Sequence, residues 1–106
     1  MENCVTKAED ELRMRNRGGT YEERHERYAH NAQVEADLAV SRARAERRAV
    51  KLMQSAAQNA RRNGDLKGAG LYDDMAAVSL DIAVAQEEKA EAAKAIAAHY
   101  APEGNG

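Results

Sequence analysis

The chain has 106 residues and a formal charge of −2, and alanine supplies 23 of the residues. Leu, Val and Ile together number 14, and Phe and Trp are absent, which excludes a sheet protein and a large enzyme core with a deep pocket. Ala, Glu, Lys, Leu and Arg make up 57 residues, the composition of long helices or a coiled coil.

Residues 1–19 form an N-terminal segment with a short helix. Thr6 and Glu9 have the spacing of a capping box, in which each side chain satisfies a free amide of the first turn. Val5, Ala8 and Leu12 fall on one side, and Gly18 and Gly19 end the run. Its first ten residues, Met1 to Asp10, are acidic and carry no apolar stretch, so neither a secretory signal nor a membrane span is expected. Cys4 is the sole cysteine, which permits no intrachain disulfide; a cytoplasmic protein is expected.

Thr20 and Glu23 repeat the capping-box spacing and open the first long helix, 20–62. Tyr21 to Arg62 contains neither Gly nor Pro. A helix of ~42 residues is roughly 63 Å long, unless it breaks near His30 and Asn31. Its apolar or small side is expected at Val34, Leu38, Ser41, Ala45, Ala49, Leu52, Ala56 and Ala60, in steps of three and four.

Asn63 and Gly64 stop that helix, and Asp65 caps a second one, 65–101. Gly68 and Gly70 each weaken its first turn by ~1 kcal/mol relative to Ala. The expected seam runs through Leu71, Met75, Val78, Ile82, Ala85, Lys89, Ala93, Ile96 and Tyr100. Residues 102–106, beginning at Pro102, form a flexible tail. The short connection makes the two helices antiparallel neighbours, so the expected fold is all-α: a long antiparallel αα-hairpin, 20–101, with a short N-terminal helix.

Tyr72, Ala76, Ser79, Ala83, Ala90 and Ala97 form a second stripe about 100° from the Leu71 seam. Leu80, Val84 and Ala77 lie on the far side. A helix that is weakly apolar around much of its circumference is buried on more than one side, which one hairpin does not provide. A homodimer completing a four-helix bundle is therefore expected. Antiparallel pairing sets Arg47 and Arg48 near Asp81, Asp37 near Glu91, and Leu52 near Ala76. Lys89 falls inside the expected seam, either snorkelling to solvent or setting register opposite Glu35 or Asp37.

Charge is unevenly spread: residues 1–12 carry −3, residues 13–67 carry +6 and residues 68–106 carry −5. Arg44, Arg47, Arg48 and Lys51 follow helical spacing, and Arg62 returns to the same side. Such a stripe is able to track a phosphate backbone. Against that stand the interrupting Glu46, the acids of the second helix and the lack of interleaved aromatics. Glu22 and His25 have the Glu-x-x-His spacing of metal bundles, but the second helix offers no carboxylate on its seam, and surface charge is the expected role. No Gly-rich phosphate loop, Cys-x-x-Cys or nucleophile elbow is present, so no enzyme and no cofactor are expected.

The segment Ala60-Arg-Arg-Asn-Gly-Asp-Leu-Lys-Gly-Ala69, with Ala76 seven further on, resembles the turn and second helix of a tetratricopeptide unit. Nothing recurs at the 34-residue period that such stacks need. The size and hairpin also resemble the helical-hairpin substrates of type VII secretion, without their Trp-x-Gly turn. No family is assigned on either basis.

The functional expectation is non-enzymatic binding of another protein by a small regulator, adaptor or inhibitor, the phage type of inhibitor acting on a host protein included. Leu80 and Val84 supply apolar contact, while Arg44, Arg47, Arg48, Lys51 and Arg62 orient the partner. The alternative is a nucleic-acid-associated protein using the same arginine stripe.

Overall fold

A computed structural model describes residues 20–101. The expected short helix with its Thr6 and Glu9 cap, Cys4 and the tail from Pro102 lie outside the described residues. Two helices account for nearly all the rest: α1, Tyr21–Arg62, and α2, Leu66–Tyr100. Among the described residues the chain is all-helical.

Helix α1 runs unbroken through His30 and Asn31. Thr20 caps it as its sequence spacing predicts: the Glu23 amide donates to Thr20 Oγ1 at 3.1 Å. Glu22 and Glu23 stand at its positive end and Arg61 and Arg62 at its negative end, each complementing the backbone dipole.

The turn after α1 is built from a few backbone bonds. The Gly64 amide donates to the Arg61 carbonyl at 3.0 Å, and the Asp65 amide reaches back to the Ala60 carbonyl at 2.8 Å. Those two bonds make a Schellman stop, which needs a left-handed residue, and Gly64 has φ +79°. Asp65 then caps α2, its Oδ1 accepting from the Gly68 amide at 2.9 Å. A side chain at Gly68 would overlap that Asp65 carboxylate, so glycine leaves room for the cap and is not simply a weakness of the first turn.

The described residues divide into two compact units. One is Ala36–Glu91, containing the turn and the flanking parts of both helices; the other takes the described residues 20–35 and 92–101. Within Ala36–Glu91 the helices are antiparallel. Arg47 pairs with Glu87 and Arg61 with Asp73, so a step up one helix matches a step down the other.

The core of that unit is not the expected one. Val50 and the alanines 36, 39, 43, 57 and 60 are buried on α1, and Ala69, Ala76, Ala83 and Ala90 on α2. The α2 set repeats every seven residues, as do Ala36, Ala43, Val50 and Ala57, which keeps one face towards the partner helix as in a coiled coil. Within this unit the seam expected on α2 is exposed instead, with Leu71 at 57% and Val78 at 59%; of its members, Ala93, in the other unit, is buried. On α1 the expected face is exposed at Leu38 and Leu52, and only its end, Ala60, is buried. Side chains of one carbon let two helix axes come to the near end of the usual ~8–10 Å separation, at which leucines do not fit between them.

In the second unit Ala32, Ala93 and Ala97 are buried. The same unit holds a cluster of aromatic rings: Tyr28 and Tyr100 meet edge to face with centroids 5.2 Å apart, and His25 meets Tyr100 at 5.1 Å. The Tyr21 and His25 rings meet at a tilt of 47° with centroids 3.9 Å apart, and the Arg24 guanidinium stands 5.7 Å from the centre of the Tyr21 ring. These contacts tie the start of α1 to the end of α2, and cationic and edge-on approaches of this kind suit the ring quadrupole.

Candidate protein-binding surface

Helical phase decides which of the candidate residues share a face. Arg47 and Arg61 each follow a buried alanine, Ala43 or Ala57, by four residues. Asp73 and Glu87 stand in the same relation to Ala69 and Ala83. Four residues on is roughly 40° around a helix, so all four flank the seam on one side. Leu80 follows Ala76 by the same step, which sets it in line between Asp73 and Glu87. Val84, one turn further along, is next to it on the outer side.

The Arg47 contact is a two-point grip. Its Nε donates to Glu87 Oε2 at 2.6 Å and an Nη donates to Oε1 at 2.7 Å. Both side chains are about half exposed, 49% and 43%. The Arg47 hydrogen bonds hold the Glu87 carboxyl below the usual carboxylate range, and Glu87 raises the already high value of the guanidinium. Arg61 hydrogen-bonds Asp73 through an Nη. The sequence pairing of Arg47 and Arg48 with Asp81 is therefore corrected: Glu87 is the partner of Arg47. Side chains lean towards the start of their own helix. Arg47 thus leans away from the turn and Glu87 towards it, so they meet six residues beyond the level expected.

The candidate residues divide accordingly. Arg44, Arg47 and Lys51 share the flank that carries Leu80 and Val84, and all five are exposed. Arg48 and Arg62 are exposed too, but lie roughly 150° from the seam, on the outer side of α1. The stripe is thus two groups, not one. Asp73, Glu87 and Arg61 were missing from the sequence reading. The available signal was their spacing: two arginines fourteen residues apart on α1 and two carboxylates fourteen residues apart on α2.

Lys89 is exposed, one residue before the buried Ala90, and is not in the seam. Among the described residues no three His, Cys, Asp or Glu side chains converge as metal ligands; Glu22 and His25 gather no third. A shallow hollow of about 250 Å³ beside the turn is lined by Ala56, Asn59, Ala60, Asn63, Asp65 and Tyr72. Among the described residues no helix is long and apolar enough to cross a membrane.

No protein family matches the chain, and no curated protein or solved structure matches it either.

Proposed function

We propose that the chain is a non-enzymatic, protein-binding helical protein that works as a pair of chains and serves as a small regulator, adaptor or inhibitor. One observation carries the reading. Among the described residues alanine makes up the buried set apart from Val50, while Leu38, Leu52, Leu71, Met75, Val78, Leu80, Ile82 and Val84 are all at least 40% exposed. Apolar side chains of this number left in water mark an interaction surface. The flank with Leu80 and Val84 offers two adjacent aliphatic anchors set among Arg44, Arg47 and Lys51, an apolar centre with a polar rim. A lone cysteine in 106 residues suits a reducing cytoplasm.

Capture from the native host with nuclease-treated extract tests the reading, followed by binding of the purified partner to L80D and V84D variants. A partner that survives nuclease and is lost with either aspartate supports it. Binding that disappears with nuclease supports the second reading, nucleic-acid contact. That reading is favoured by Arg44, Arg48 and Lys51, which make no ion pair among the described residues. Added salt separates the two, since phosphate contacts weaken steeply and apolar ones do not.

A further inference from the structure

We propose that residues 20–35 and 92–101 form a latch that opens and closes as one piece, with the Tyr100 ring as its catch, while the Ala36–Glu91 unit stays folded. Local opening in proteins follows compact units, and these residues make up one.

The rings of this unit converge on a single residue. Tyr21, His25 and Tyr28 follow one another by four and three residues, so they form a row along one side of α1. His25 stands in the middle of the row, its centroid 3.9 Å from that of Tyr21 and 6.3 Å from that of Tyr28. Among the described residues both ring contacts that cross from α1 to α2 end on Tyr100. His25 reaches it at 5.1 Å with the planes at 76°, and Tyr28 at 5.2 Å with the planes at 66°. These are favourable edge-to-face separations and angles.

The rest of the seam in this unit is small. Its buried apolar side chains are Ala32, Ala93 and Ala97, and each methyl removes little surface from water. Ala97 and Ala93 precede Tyr100 by three and seven residues, and Ala32 follows Tyr28 by four, so the methyls share the sides that carry the rings.

Tyr100 is also the last residue of α2, and helix ends are where unwinding starts. When that last turn unwinds, the ring leaves both of its α1 partners in one step. Three methyls then remain as a weak hold, and the two helix ends come free together. The Ala36–Glu91 unit keeps its own ties, the Arg47–Glu87 and Arg61–Asp73 pairs and the bonds of the Gly64 turn. Opening carries Ala32, Ala93 and Ala97 from cover into water, so the catch sets how often this apolar strip is available.

Hydrogen exchange of the full chain, read by mass spectrometry peptide by peptide, tests the latch. Y100A is expected to speed exchange at least about ten-fold at residues 25–34 of α1 as well as at 93–99 of α2, and to leave 43–57 and 76–90 within about two-fold of wild type. Y100F is expected to exchange like wild type, because an edge-to-face contact needs the ring and not the hydroxyl. H99A removes a ring that meets Tyr100 at 4.8 Å from within α2, and is expected to leave α1 unchanged. Faster exchange of Y100A confined to the last turn of α2 would be simple fraying and overturns the latch, as does no change at all. Equal acceleration in all four stretches overturns separate opening. Lost protection in Y100F would make the hydroxyl the catch and overturns the role of the ring.

Discussion

Arg47 and Glu87 form their two-point contact fourteen residues above and below a second pair of the same kind, Arg61 and Asp73. Fourteen residues is two repeats of the seven-residue pattern, so both pairs stand on one flank and in one register. Charge reversal at either member, R47E or E87R, is expected to lower the melting temperature. The double reversal is expected to recover part of the loss, and fully additive melting shifts would show that the pair is not coupled.

The same pair gives an acid dependence. Because Arg47 holds the Glu87 carboxyl below its unfolded value, its contribution is complete above the unfolded carboxylate range and fades as pH falls through the lower folded value. Raising pH through neutrality leaves it unchanged, since the guanidinium stays charged. E87Q is expected to flatten the acid limb of stability against pH, measured by urea unfolding.

Three glycines near the turn respond in three ways. G64A strains a left-handed residue and is expected to cost about 1–2 kcal/mol. G70A adds a methyl in open space on an exposed helix position and is expected to gain about 1 kcal/mol. G68A is expected to forfeit that gain, because the added carbon displaces the Asp65 cap. Chemical denaturation of the three variants checks the order.

Ala83 is fully buried in the seam. A83L pushes α1 and α2 apart and is expected to destabilise the fold by about 1–3 kcal/mol. Its exposed neighbour Ile82 is expected to tolerate Leu without measurable loss in the monomer. Equal stability of A83L and wild type would mean that the seam is not tightly packed.

Gln86 carries a buried Oε1 with no hydrogen-bond partner among the described residues. Q86M keeps the length and removes the acceptor, and is expected to gain about 1 kcal/mol in thermal or urea unfolding.

The boundaries of both helices were legible because they are written in local chemistry: Thr20 and Asp65 as caps, Gly64 as the stop. The facing surfaces were not. Reading hydrophobicity favours Leu71, Met75, Val78 and Ile82, and these do form a stripe, but not the one between α1 and α2. Alanine carries little hydropathy signal, so the row Ala69, Ala76, Ala83 and Ala90 looks secondary beside it. What selects alanine is interaxial distance, which no single residue reports. The Arg47 partner was missed for a related reason: level positions were compared without the lean of the side chains along each helix.

The turn at Gly64 has a role larger than its few atoms suggest. Methyl layers repeated every seven residues are interchangeable, so sliding α2 past α1 by one period would bring equivalent layers together again over most of the contact. Such a surface cannot choose its own alignment, in the way a ruler with identical marks has no origin. The zero point is set by the bonds of residues 60–68 and by the two arginine clasps. An insertion or deletion there would shift every downstream layer together.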